Sequence, residues 1–142
     1  MKFTSLGSGS EGNSLLIASS SDTHPTRVML DCGFGLSEAV RRLARLGVDA
    51  AGVHGIVVTH EHSDHLGGVF KLARRYAIPV WLTHGTFEAS PKDDALGVDV
   101  RICRDGEAFA VGDRHQQRIQ RLLRAAAGIE KTGVWRNAER RF

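Results

Sequence analysis

Apolar and polar positions along this 142-residue chain follow two rhythms. Short apolar runs at Phe3–Leu6, Leu15–Ala18, Arg27–Asp31, Gly55–Val58 and Val80–Leu82, bounded by Gly, Ser, Asn or Pro, predict strands. Val100–Cys103 and Ala108–Val111 alternate in the same way around an Asp105-Gly106 turn. Between them the period lengthens to that of helices. Leu36–Leu46 places Leu36, Val40, Leu43 and Ala44 on one face and leaves Arg41, Arg42 and Arg45 as a solvated one, with Glu38 in the first turn and Gly47 as the stop. A second helix, from about Leu66 to Tyr76, carries Leu66, Val69, Phe70 and Ala73 as its stripe, and Gly67 and Gly68 near its start allow close backbone packing. The chain thus mixes strands and helices.

The pattern stops at Gly112-Asp113. Arg114–Ala127 would form a helix by propensity, and the stretch to Phe142 has no clear period. Charge changes at the same place. Residues 1–113 carry 11 Lys/Arg and 14 Asp/Glu, whereas residues 114–142 carry 8 and 2. The body is therefore acidic (11 − 14 = −3) and the tail strongly basic (8 − 2 = +6). We expect 1–113 to be one structural unit and 114–142 a separate basic tail, disordered or produced by a frame error past codon 113.

Composition otherwise describes an ordinary globular chain, at 42% hydrophobic and 25% charged. No apolar run is long enough to span a membrane, and Met1–Ser5 holds no apolar signal core, so a cytoplasmic protein without membrane partners is expected. Cys32 and Cys103 are too few for a disulfide framework and are expected as buried reduced thiols.

Gly7-Ser8-Gly9-Ser10-Glu11-Gly12 matches a dinucleotide fingerprint, and Asp31 lies at the spacing of a ribose-binding acid. That chemistry requires a helix opening at the glycines to meet the pyrophosphate. A strand, Leu15–Ala18, follows instead, so the glycines are read as a tight backbone path across the mouth of a site.

The strongest chemical signal is Thr59-His60-Glu61-His62-Ser63-Asp64-His65, placed directly after the apolar run Gly55–Val58. A buried strand would deliver these ligand-type side chains into one loop. His60 and His62, two apart, can point to the same side. Asp64 and His65, at the start of the following helix, can face a second position. Two metal ions roughly 3.5–4 Å apart could share a bridging hydroxide there, with Asp64 binding metal and holding the attacking water. Asp31 ends an apolar strand before a Gly turn. It is either a cap or turn residue, or a carboxylate that orients a ligand histidine. His84 follows a strand in a polar turn and ranks well below the cluster.

Three segments, Ser5–Ser10 with Gly12-Asn13-Ser14, Leu30–Gly33 and Val58–His65, resemble the metallo-β-lactamase superfamily. They are most similar to its ribonuclease-Z-like branch and, within it, to small bacterial hydrolases described as exonucleases and linked to cell-wall regulation. The resemblance runs from about Phe3 to Asp113. It implies an α+β fold, the αββα sandwich, of which this chain would supply the N-terminal half. It also implies two zinc ions, sometimes iron or manganese, and hydrolysis by a metal-bound hydroxide. His60 and His62 map onto ligands of the first metal, Asp64 and His65 onto ligands of the second, and Asp31 onto a structural acid beside the site. The family supplies a further histidine, a bridging aspartate and a final histidine downstream, the first soon after a Gly-Asp like Gly112-Asp113, and past that point only His115 follows here.

The expected function is metal-dependent hydrolysis of phosphodiester bonds in nucleic acid or a small substrate, incomplete in this chain. The alternatives are thioester or other ester hydrolysis on the same scaffold, a non-catalytic metal-binding fragment, and a nucleic-acid binder acting through its basic tail. Half a sandwich would leave one apolar sheet face for the Arg114–Ala127 helix or an oligomeric partner to cover.

Overall fold

A computed structural model of the chain describes residues 1–19, 25–104 and 106–112. The predicted Arg114–Ala127 helix and the rest of the basic tail lie outside these residues.

Six strands form one sheet in chain order: β1 (Lys2–Gly7), β2 (Ser14–Ala18), β3 (Arg27–Leu30), β4 (Gly55–Val57), β5 (Val80–Thr83) and β6 (Val100–Cys103). The first two pairings are antiparallel, with Thr4 opposite Leu16 and Leu16 opposite Met29. The last three are parallel, with Met29 beside Ile56, Ile56 beside Val80, and Leu82 beside Ile102. Parallel neighbours need crossovers. Helix α1 (Leu36–Arg45) links β3 to β4; α2 (Ser63–Leu66) and α3 (Val69–Tyr76) link β4 to β5; α4 (His84–Ala89) links β5 to β6.

The period-two alternation divides the apolar residues between two faces. Leu16, Met29, Ile56, Val80 and Leu82 pack in one cluster with Ala39 and Leu43 of α1 and with Val69, Phe70, Leu72 and Ala73 of α3. Val28, Val57 and Trp81 belong to the opposite face, where they pack with Val111 and Phe109. Central strands that are apolar on both faces are typical of parallel sheets covered twice.

Several expectations are corrected. Ala44 is exposed and Ala39 takes its place in the core, so the buried face of α1 is turned by about one residue from the predicted stripe. Arg42 is not simply solvated. Its guanidinium lies 4.1 Å from the centre of the Phe34 ring, donates to Glu38 at 2.6 Å and reaches the Leu6 carbonyl oxygen. The predicted second helix begins earlier and breaks between α2 and α3 at Gly67-Gly68. His84, predicted in a turn, opens α4, where the Thr83 hydroxyl accepts the Thr86 N–H. The loop predicted at Pro91–Asp94 contains a short 3-10 turn, Lys92–Ala95. Ala108–Val111 pairs with no strand among the described residues; instead it lies on the second face, with Phe109 stacked on Trp81 at 5.5 Å and 11°. Its apolar residues find partners in the sheet's face, and part of the face expected to lie bare is thereby covered. Gly47 ends α1 as predicted, at φ 68°.

Two glycines let the chain close on itself. A Cβ at Gly33 would lie 1.8 Å from the Asp64 carbonyl oxygen, and one at Gly68 would lie 1.7 Å from that of Phe34. Main chain cannot move aside as a flexible side chain can. Gly33→Ala should therefore destabilise the protein by about 2–3 kcal/mol in urea titrations. Gly35→Ala, whose new Cβ would meet nothing within 4 Å, should cost about 1 kcal/mol or less.

Both cysteines are free thiols. Burial pushes the Cys32 thiol up from the ordinary 9.0 to about 12, and it raises that of half-buried Cys103 as well. Below pH 9.0 Cys32 is protonated whether the chain is folded or not. Above it the unfolded chain loses the proton first, so this group's contribution to stability falls as pH rises towards 12. In the folded protein near pH 8.5 iodoacetamide should modify Cys103 while sparing Cys32, and denaturation should make the two react alike.

Candidate metal centre

Strand β3 ends at Leu30 and the chain turns at once. Asp31 adopts φ 59°, the left-handed conformation that aspartate tolerates better than most residues. It is only 5% exposed. A carboxylate so buried needs donors, and it has three. Its Oδ1 accepts the Thr59 N–H at 2.8 Å; its Oδ2 accepts the Thr59 hydroxyl at 2.7 Å and faces the His65 Nδ1 at 2.9 Å. Asp31 is thus both a turn residue and the group that orients a histidine.

Main-chain bonds fix the surrounding loops. The Cys32 N–H donates to the His65 carbonyl at 2.7 Å, and the Gly68 N–H to that of Cys32 at 2.8 Å. The Asn13 N–H donates to the Asp64 carbonyl at 2.7 Å, and the Gly33 N–H to that of Asn13 at 3.1 Å. The glycine loop, the turn after β3 and helix α2 form one knot at the carboxyl ends of β3 and β4. This is the edge where parallel sheets place their sites.

The four predicted ligand residues come together here. The His60 and His65 rings are 3.9 Å apart between centres, and His62 stands edge-on to His60 at 4.7 Å. Asp64 Oδ2 is 3.4 Å from His65 Nε2. His84 stands apart at 77% side-chain exposure, beside Glu88. The glycine loop leads into β2 and not into a helix, as the nucleotide fingerprint would have required.

Sequence reasoning did not single out Asn13 as a site residue. Its Oδ1 accepts the Gly9 N–H at 3.0 Å, and its Nδ2 lies 3.1 Å from the Gly9 carbonyl oxygen. The same Nδ2 is 2.8 Å from Asp64 Oδ2 and 3.2 Å from His65 Nε2. The available signal was an amide closing a glycine loop just before a strand.

Donor chemistry gives a test of fit. With Nδ1 of His65 turned to the Asp31 carboxylate, Nε2 presents a lone pair. Two ligand atoms on a tetrahedral zinc stand about 3.3–3.4 Å apart, close to the separation of Asp64 Oδ2 and His65 Nε2. The electropositive NH2 of Asn13 fills the bite between those two acceptors. This pair therefore suits an ion in type and spacing, although no three His, Cys, Asp or Glu donors among the described residues converge on a point that could hold one. A small pocket of about 120 Å³ is lined by Glu61, Ser63, Phe70, Lys71, Pro91 and Asp94, with neither Asp64 nor His65 in its wall.

The chain is 38% identical over 91 residues to exodeoxyribonuclease YycJ of Bacillus anthracis, covering 63% of this chain and 32% of that protein. It is 32% identical over 96 residues to exodeoxyribonuclease WalJ of Streptococcus pneumoniae, covering 68% and 34%. The chain spans about a third of the length of these relatives. The solved Rm3 metallo-beta-lactamase superposes with a TM-score of 0.59 at 26% identity, covering 78% of this chain and 45% of that one. The family model described as the metallo-beta-lactamase superfamily matches residues 8–126. The chain belongs to the metallo-beta-lactamase superfamily, whose members generally bind metal ions, usually zinc.

Proposed function

We propose that this chain carries the N-terminal part of a metal-dependent hydrolase of phosphodiester bonds, acting on nucleic acid. The observation behind this reading is the packing of His60, His62, Asp64 and His65 into one cluster around the buried Asp31 carboxylate. Similarity to two proteins named exodeoxyribonucleases supports the substrate class. His60 and His62 would serve one zinc ion, Asp64 and His65 a second. Bound zinc would supply Lewis acidity and a nucleophile at neutral pH.

The chain's own residues do the rest. Asp31 holds the His65 ring by its Nδ1. Asn13 holds the Asp64 carboxylate by one oxygen, Oδ2. Asp64 is the acceptor proposed to take the proton of the attacking water. In this reading residues 1–113 are the domain and 114–142 a separate tail, although the family match continues past that boundary to residue 126. Among the described residues no helix is long and apolar enough to cross a membrane.

Zinc titration of the full chain, paired with hydrolysis of bis-p-nitrophenyl phosphate, tests the proposal. Zinc-dependent turnover that stops with a chelator is the expected result. Asp64→Asn should then lower kcat by about 10²–10⁴-fold. Tight zinc binding without turnover would select the non-catalytic reading, and a chain that neither binds zinc nor hydrolyses the ester would remove both.

A further inference from the structure

Thr59 stands between the buried carboxylate and the first histidine of the cluster. Its hydroxyl oxygen is 2.7 Å from Asp31 Oδ2 and 2.9 Å from His60 Nδ1. A hydroxyl has one proton to give and lone pairs to receive with. An ionised carboxylate only accepts. Were the hydroxyl proton directed at His60, two oxygen lone pairs would face each other at 2.7 Å. The proton therefore lies towards Asp31, and the hydroxyl meets His60 with a lone pair. That in turn requires the hydrogen of the His60 ring to sit on Nδ1.

The His65 ring reaches the same result directly, since its Nδ1 is 2.9 Å from the same Oδ2. One carboxylate oxygen thus sets the tautomer of two imidazoles, one by contact and one through a hydroxyl. We propose that Thr59 is a positioning residue for His60: its hydroxyl relays the Asp31 carboxylate to the ring and fixes Nε2 as the nitrogen offered to a metal. The hydrogen bond at one ring nitrogen decides what the other can do.

The consequence for metal binding rests on the metal-centre reading above, whereas the consequence for the ring does not. Asp31 governs both histidines, while Thr59 governs His60 alone. Without the hydroxyl, His60 Nδ1 would lose the acceptor 2.9 Å away, and the balance of the two tautomers would move towards Nε2–H. The Asp31–His65 contact would remain.

Long-range proton–nitrogen NMR on the metal-free full chain, at about pH 8 and so above the usual imidazole range, reads both rings at once. The wild type and Thr59→Ser should show His60 protonated on Nδ1. Thr59→Val, which keeps the shape and loses the hydroxyl, should shift His60 to Nε2–H with His65 unchanged. Circular dichroism and urea midpoints check that each variant is folded. A wild-type His60 protonated on Nε2 overturns the proposal even if Thr59→Val fails to fold. So does a folded Thr59→Val whose His60 keeps its proton on Nδ1. Zinc affinity is the second readout and should fall about 10–100-fold in Thr59→Val and be kept in Thr59→Ser. If the tautomer shifts while zinc affinity does not move, the relay to the ring stands and the assignment of His60 to a metal falls.

Discussion

The buried carboxylate of Asp31 is the constraint on which the rest of this structure depends. Taking an ionised carboxylate out of water is costly unless donors surround it. Here the donors come from a segment about thirty residues away in sequence, since Thr59 and His65 both face Asp31 across the β3–β4 boundary. Removing one of them would strand part of a buried charge. The same group that orients the cluster therefore also secures the crossover that brings β4 beside β3.

The main chain reinforces this arrangement. Asn13, Gly33 and Asp64 meet through the backbone, and Gly68 meets Cys32 and Phe34, so closely that both glycine positions exclude even a methyl group. Side chains that bear the chemistry thus hang from a framework with little freedom to adjust. Such a framework holds the side chains of the cluster in fixed positions relative to one another. The apolar sheet supplies the rest of the rigidity, with α1 and α3 packed on one face and Phe109 and Val111 on part of the other.

Much of this was legible in the residues. The runs at Leu15–Ala18, Gly55–Val58 and Val80–Leu82 became strands because short apolar runs bounded by turn residues have few other uses. The cluster from His60 to His65 announced itself through ligand-type side chains packed too densely for chance. Other features were hidden for physical reasons. Ala39 and Ala44 are alike in propensity, and only packing against the sheet decides which is buried. The tight contact of Gly68 with Phe34 is tertiary, so a continuous helical period concealed the break between α2 and α3. Ala108–Val111 alternates like a strand, but alternation cannot say whether the apolar side packs under a neighbouring strand or across a sheet. Asn13 was concealed because its partners, Asp64 and His65, lie some fifty residues ahead.

The parallel pairing of β3 with β4 has a kinetic consequence. Antiparallel β1, β2 and β3 can zip up from nearby residues. The Asp31 contacts can form only after α1 and its connections have closed a long loop, and loop-closure entropy must be met before any of those bonds form. The histidine cluster is accordingly expected to be assembled late, after the hairpin-linked strands. A nascent or stressed chain would then expose the apolar β3 edge before Asp31 had met Thr59 and His65.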